Sequence, residues 1–174
     1  MQSPDAQFER AYVQFLPAVS GYLFRRVPRQ AVEDLAADVF AIAWRKRASV
    51  APGEELPWLY RIAANVVANY RRKEASGSVF LASLRPADSS PSAEEIVMAD
   101  ASLAAAWRQL RPAEREILAL ALVEELAPAE IAVALGVSVN AATIRVHRAK
   151  KRLRELLPAE ESSTGSERTA AAAT

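Results

Sequence analysis

Hydrophobic residues recur at every third or fourth position along most of this chain, the spacing that lines one face of an α-helix. The first run, Phe8 to Val27, carries Phe8, Tyr12, Phe15, Leu16, Val19, Tyr22 and Leu23 and ends before Pro28. The second, "AVEDLAADVFAIAWRKRA" from Ala31 to Ala48, stops ahead of the Pro52-Gly53 turn, and a third lies within Glu54 to Lys73. No segment alternates convincingly with period two, and only 5 glycines and 10 prolines interrupt the pattern. The prediction is an all-α chain of two small helical domains, of which the first, residues 5–74, is a compact unit of three to four helices.

The periodicity then lapses. "ASGSVFLASLRPADSSPSAEE", residues 75–95, is rich in Ser, Pro, Ala and Asp and reads as a flexible linker. Helical spacing resumes over residues 96–157, the second domain. Residues 158–174, "PAEESSTGSERTAAAAT", have too little apolar surface to offset the entropy of ordering and are expected to be a disordered tail.

Within the second domain, "LRPAEREILALALVEEL" places Pro112 at a helix start and Glu114 in its first turn, where the helix dipole favours an anion. Pro128 starts a short helix bearing Ile131 and Leu135; Gly136 supplies a left-handed end, Val137 plugs the core, and Ser138 caps the next helix. Short helix, glycine turn and longer helix make a helix-turn-helix. At about 100° per residue, Val139, Ala142, Val146, Ala149 and Leu153 of the longer helix form a narrow inward stripe. Arg145, Arg148 and Arg152 flank one side, Lys150 and Arg154 the other, and Asn140, Ile144, His147 and Lys151 lie opposite. A solvated helix mixes acids with its bases, yet no Asp or Glu occurs from Asn140 to Arg154. That face suits phosphates, with the side chains of the first turns reaching base edges in the major groove.

Two faces of the first domain also stand out. On the third helix, Trp58, Arg61, Asn65, Asn69 and Arg72 share a surface beside a buried face of Leu59, Ile62, Ala63, Val66 and Tyr70. An aromatic, two amides and two guanidiniums can stack bases, bond their edges and neutralise the phosphates of an opened strand; a core role for Trp58 is the plainer alternative. On the second helix, Asp34, Ala37, Asp38, Ala41 and Arg45 form a flat stripe that another helix could approach, or a simple solvated face.

Composition narrows the function. Hydrophobic residues make up 51% and charged residues 25%, a balance expected of a globular protein, and the net charge is only +1, so any nucleic-acid affinity must come from local patches. The chain has no cysteine and a single histidine, His147, which argues against thiolate or histidine metal sites and a His-based triad. The acid pairs Glu54-Glu55 and Glu124-Glu125 are adjacent in sequence and so point to different sides of a helix. We therefore expect no enzyme, no cofactor and no metal. With no apolar run near the ~20 residues of a membrane span and no signal-peptide pattern, the expectation is a cytoplasmic protein with no membrane partner.

Taken together, these segments resemble the extracytoplasmic-function (ECF) sigma factors of bacterial RNA polymerase. "VEDLAADVFAIAWRKR" and "PWLYRIAANVVANYRRK" are similar to the two signature helices of region two, and "LRPAEREILALALVEELAPAEIAVALGVSVNAATIRVHRAKKRLREL" to region four. The resemblance implies that Asp34 and Asp38 meet the coiled coil of the polymerase's largest subunit. It implies that Asn65 lines a pocket for a flipped base of the −10 element, with Trp58, Arg61, Asn69, Arg72 and Lys73 supporting the strand. Region four would dock on the flap of the second-largest subunit and read the −35 element through residues among Ser138, Asn140, Ala141, Thr143, Ile144, Arg145 and Arg148. The resemblance also leaves room for an anti-sigma factor as a partner. Three departures are visible: Ala37 replaces a frequent Gln, "VAPGEELP" lacks the usual aromatic-Arg-Gly start, and Ala141-Ala142-Thr143 stands for the frequent T-V-[KR]. The last predicts an unusual −35 preference, with Ile144 against a thymine methyl. The alternative is a stand-alone helix-turn-helix regulator that binds duplex DNA without polymerase.

Overall fold

In a computed structural model the protein is described over residues 4–81 and 101–158. Seven α-helices and no strand occur among the described residues: α1 (Pro4–Phe24), α2 (Val32–Lys46), α3 (Glu55–Leu81), α4 (Ala101–Gln109), α5 (Pro112–Leu122), α6 (Pro128–Leu135) and α7 (Val139–Leu156). Most of the expected linker and the expected tail lie outside the described residues.

α1, α2 and α3 pack against one another. Val19, Tyr22 and Leu23 of α1 meet Leu35, Val39 and Phe40 of α2 and Leu59, Ala63 and Val66 of α3, all buried. Aromatic edges fix how the start of α1 crosses α2: Phe8 meets Trp44 edge-to-face at 5.0 Å and Tyr12 meets Phe40 at 4.7 Å. Short 3-10 turns, Arg29–Ala31 and Arg47–Ser49, extend α2 at both ends to nearly the span that its periodicity predicts. Its dipole is complemented by Glu33 and Asp34 in the first turn and by Arg45 and Lys46 in the last. The final carbonyls are satisfied too: Arg47 Nη1 donates to the Trp44 carbonyl at 2.8 Å and Ser49 Oγ to that of Lys46 at 2.7 Å. α3 continues to Leu81, into the expected linker; once its packed half is formed, each further residue adds a hydrogen bond without a new nucleation cost.

In the second unit, Trp107 of α4, Leu118 and Leu120 of α5, Ile131 of α6 and Ala142, Ala149 and Leu153 of α7 form the core. α5 and α6 each begin with a proline in the first turn. The Glu114 carboxylate accepts from the Arg111 backbone N–H at 2.8 Å, and Glu130 accepts from that of Ala127 at 2.7 Å, so the N–H that precedes each helix is answered. Donation from the Arg111 guanidinium at 2.6 Å holds the Glu114 carboxyl below its usual range.

One feature differs from the sequence expectation. Val139, expected in the inward stripe of α7, is 52% exposed. It is the first helical residue, and because helical side chains tilt toward the N-terminus, it projects past the packed body of the helix. Periodicity is silent on how the two units meet: they share one continuous hydrophobic core, with α3 packed against α6.

Candidate nucleic-acid interface

The helix-turn-helix is built as its residue types require. Gly136 ends α6 with φ +64°, the left-handed conformation that glycine adopts without strain, and the chain turns by 104° between α6 and α7. Ser138 Oγ accepts from the Ala141 N–H at 3.2 Å and so caps α7. Ala142, Ala149 and Leu153 anchor α7 on the core, while Asn140, Thr143, Ile144, Arg145, His147 and Arg148 face outward; Ala141 is half-buried. Ile144 is 41% exposed, so an apolar side chain of some size stands among cations. The Thr143 hydroxyl donates to the Val139 carbonyl at 2.9 Å, which turns that donor back onto its own helix. Glu155 pairs with Lys151 at 3.9 Å and Arg152 at 3.6 Å near the end of α7, leaving the acid-free first turns clear.

On α3, Arg61, Asn65, Asn69, Arg72 and Lys73 are all exposed, and Leu59, Ile62, Ala63 and Val66 are buried on the other side. Arg72 is held against its helix: its guanidinium donates to the Asn69 side-chain oxygen and to the Ala68 carbonyl. Trp58 is half-buried against the core and also lines a cleft of about 950 Å³ between the start of α1 and the α2–α3 loop. Arg45, Arg47 and Phe15 share that wall, so cations and aromatic rings surround an open space next to the Asn and Arg ladder. Arg61 stands differently from its neighbours. A Cβ at Gly136 would fall 2.9 Å from its Nη2, so the guanidinium rests on the turn of the helix-turn-helix. Asp34, Ala37, Asp38, Ala41 and Arg45 are all exposed along α2, away from buried Leu35 and Val39.

Sequence reasoning missed one cluster. Tyr22, Arg25 and Arg26 at the end of α1 and Tyr60 on α3 meet Glu116 and Glu124 of the second unit. Burial foremost, then the adjacent Glu116, pushes the Tyr22 phenol up; burial and Glu124 push Tyr60 up in the same way. The only signal available was that Arg25-Arg26 and Glu124-Glu125 are charge pairs bordering apolar runs, and nothing in helical spacing links groups some 90 residues apart.

Among the described residues no group of three His, Cys, Asp or Glu is placed to hold a metal ion, and no single helix is long and apolar enough to cross a membrane.

Comparison with known proteins agrees with this architecture. Residues 11–77 match the family model for Sigma-70 region 2, and residues 100–153 match that for Sigma-70, region 4. The chain is 35% identical over 160 residues to the RNA polymerase sigma factor CarQ of Myxococcus xanthus, covering 86% of this chain and 88% of CarQ. It is 30% identical over 140 residues to the ECF RNA polymerase sigma factor SigE of Mycolicibacterium smegmatis, covering 76% of this chain and 54% of SigE. The fold is similar to that of the sigma factor RpoE of Bartonella quintana, solved in complex with the anti-sigma factor NepR, with a TM-score of 0.63 at 22% identity over 89% of this chain and 99% of RpoE. With both sigma regions present in order and a relative matched over most of its length, this chain belongs to the ECF sigma factors of RNA polymerase.

Proposed function

We propose that the chain binds core RNA polymerase, directs it to promoters through −10 and −35 elements, and helps to melt the start region. The observation that carries the reading is the exposed ladder Arg61, Asn65, Asn69 and Arg72 beside the Trp58 cleft, on a helix whose opposite side is core. Such a face stacks bases and tracks a backbone without sequence-specific duplex contacts. Asn65 takes a flipped base, Trp58, Arg61, Asn69, Arg72 and Lys73 support the strand, and the polymerase supplies the scaffold. Melting is driven by binding: unstacking costs a few kcal/mol, which pocket and stacking contacts offset.

The exposed stripe of Asp34 and Asp38 engages the coiled coil of the largest subunit, while the second unit docks on the flap of the second-largest. α7 lies in the major groove at −35, with Arg145 and Arg148 on phosphates and Ser138, Asn140, Ala141, Thr143 and Ile144 near base edges. An anti-sigma factor that covers these faces belongs to the same reading, as NepR is bound to RpoE in the related structure.

The competing reading, a regulator that binds duplex DNA alone, gives the α3 ladder no task. A gel shift separates the two. The sigma reading expects a promoter complex only when core enzyme is added, and a tight, sequence-specific shift by the isolated chain would favour the regulator.

A further inference from the structure

The outward side of α7 carries Asn140, Ile144, His147 and Lys151 in line, all exposed. Asn140 and Ile144 are proposed to meet base edges, and His147 follows a turn beyond Ile144 on the same line. It is the only histidine of a chain without cysteine, so no other side chain here ordinarily changes charge between pH 5 and 8. No hydrogen bond or ion pair holds the imidazole among the described residues.

Its surroundings are cationic. Arg148, Lys150 and Lys151 are its charged neighbours on the helix, and the Thr143 hydroxyl is spent on the Val139 carbonyl. The next acid along α7, Glu155, already pairs with Lys151 at 3.9 Å and Arg152 at 3.6 Å. α4, α5 and α6 pack on the side of α7 that buries Ala142, Ala149 and Leu153, opposite the imidazole. They bring Arg108, Glu114, Arg115, Glu116 and Glu130, and each of these acids has its own partner. Glu114 is held by Arg111 and feels Arg152, Glu116 by Tyr22 and Arg26, and Glu130 by the Ala127 N–H. Among the described residues the imidazole therefore has no anion to meet, and the anion that an acid-free face suits is phosphate.

We propose that His147 is a proton-dependent phosphate contact of the −35 helix, which adds a cation to the DNA-facing side of α7 when protonated and loosens its grip when neutral. This rests on the proposed function in placing α7 in the major groove, where the first turns reach base edges and later turns pass the backbone. A phosphate beside an imidazole favours its charged form, so binding takes up a proton. Affinity is then greatest at the acid end of the imidazole range and falls as pH rises through it. Salt dependence carries the same signature, because each phosphate neutralised adds about 0.9 to the negative slope of log affinity against log salt.

The test is fluorescence anisotropy of a labelled promoter duplex with core polymerase and the full chain, at about pH 6 and about pH 8, either side of the imidazole range. The duplex is a fragment that the chain transcribes in a run-off assay. His147→Gln removes the charge and His147→Arg makes it permanent, and comparison with His147→Gln cancels the titrations of polymerase and DNA. From pH 8 to pH 6 the unaltered chain should gain roughly three- to tenfold in affinity over His147→Gln. At pH 6 its salt slope should be steeper by about 0.9. His147→Arg should keep the acid-side affinity at both pH values. Identical pH profiles for the unaltered chain and His147→Gln would overturn the proposal. A pH effect with equal salt slopes would mean a base-edge contact and would overturn the assignment to phosphate. If one variant loses its helical circular dichroism, the other decides. If no fragment is transcribed, the proposed function fails; the same comparison for the isolated full chain on a mixed-sequence duplex then judges His147, since a phosphate contact needs no particular sequence.

Discussion

Arg61 answers to two partners. It stands in the exposed ladder of α3, and its guanidinium rests on Gly136, where no side chain intervenes. The strand-binding role proposed for that ladder predicts that Arg61→Ala, like Asn65→Ala, lowers promoter opening on the order of tenfold, from a stacking and pocket contribution of about 1–3 kcal/mol per base, while closed-complex binding changes less. Permanganate footprints as strong as those of the unaltered protein would contradict that. The second partner carries a separate cost. Gly136→Ala places a Cβ in a left-handed residue and crowds Arg61, so it should destabilise by about 1–2 kcal/mol, a fall in Tm of roughly 2–8 °C by calorimetry.

At the scale of elements, α7 shows how much of the site could be read from sequence. Its inward residues, the Ser138 cap and the left-handed Gly136 follow from local rules, because a helix face, a cap and a turn are each decided within a few residues. Exposure at the helix start was less legible, since Val139 obeys the 3.6-residue period yet projects past the core. The side-chain bond from Thr143 to the Val139 carbonyl has the same local origin and bears on specificity. With the hydroxyl of exposed Thr143 bonded back to its own helix and Ala141 lacking any polar side-chain atom, Ile144 is the conspicuous apolar side chain of the first turns and, in the proposed function, the one placed to meet a base. Transcription across a −35 library should therefore select a thymine opposite Ile144, because its methyl offers the apolar contact. Recovery of the common family consensus alone would refute this. α3 follows the same division: its faces are set by periodicity, while its extension to Leu81 depends on a helix already nucleated by packing.

For the whole molecule, the least legible feature was the joining of the two units. The pairing of Glu116 and Glu124 with Arg25, Arg26, Tyr22 and Tyr60 links positions 64 to 99 residues apart, and no pattern of local spacing encodes it. The cluster predicts that the packing of the two units is sensitive to alkali. Burial, reinforced by Glu116 and Glu124 and opposed by Arg25 and Arg26, raises the phenols of Tyr22 and Tyr60 above their ordinary value near 10. Their neutral forms are thus favoured in the fold, and this contribution is complete below about pH 10 and is lost as pH rises toward the folded values. Thermal melts should show stability falling above about pH 10 more steeply for the unaltered chain than for Tyr60→Phe, and equal slopes would argue against the buried phenols.

Membership in the ECF sigma factors assigns the chain a place in transcription, and the proposed function puts its promoter contacts on the two exposed faces. The most direct test is run-off transcription with purified bacterial core polymerase on a pool of genomic promoter fragments, with and without the chain. The account predicts discrete transcripts from a restricted set of promoters only when the chain is present. Association with core but no transcript from any fragment, or no association at all, would contradict it.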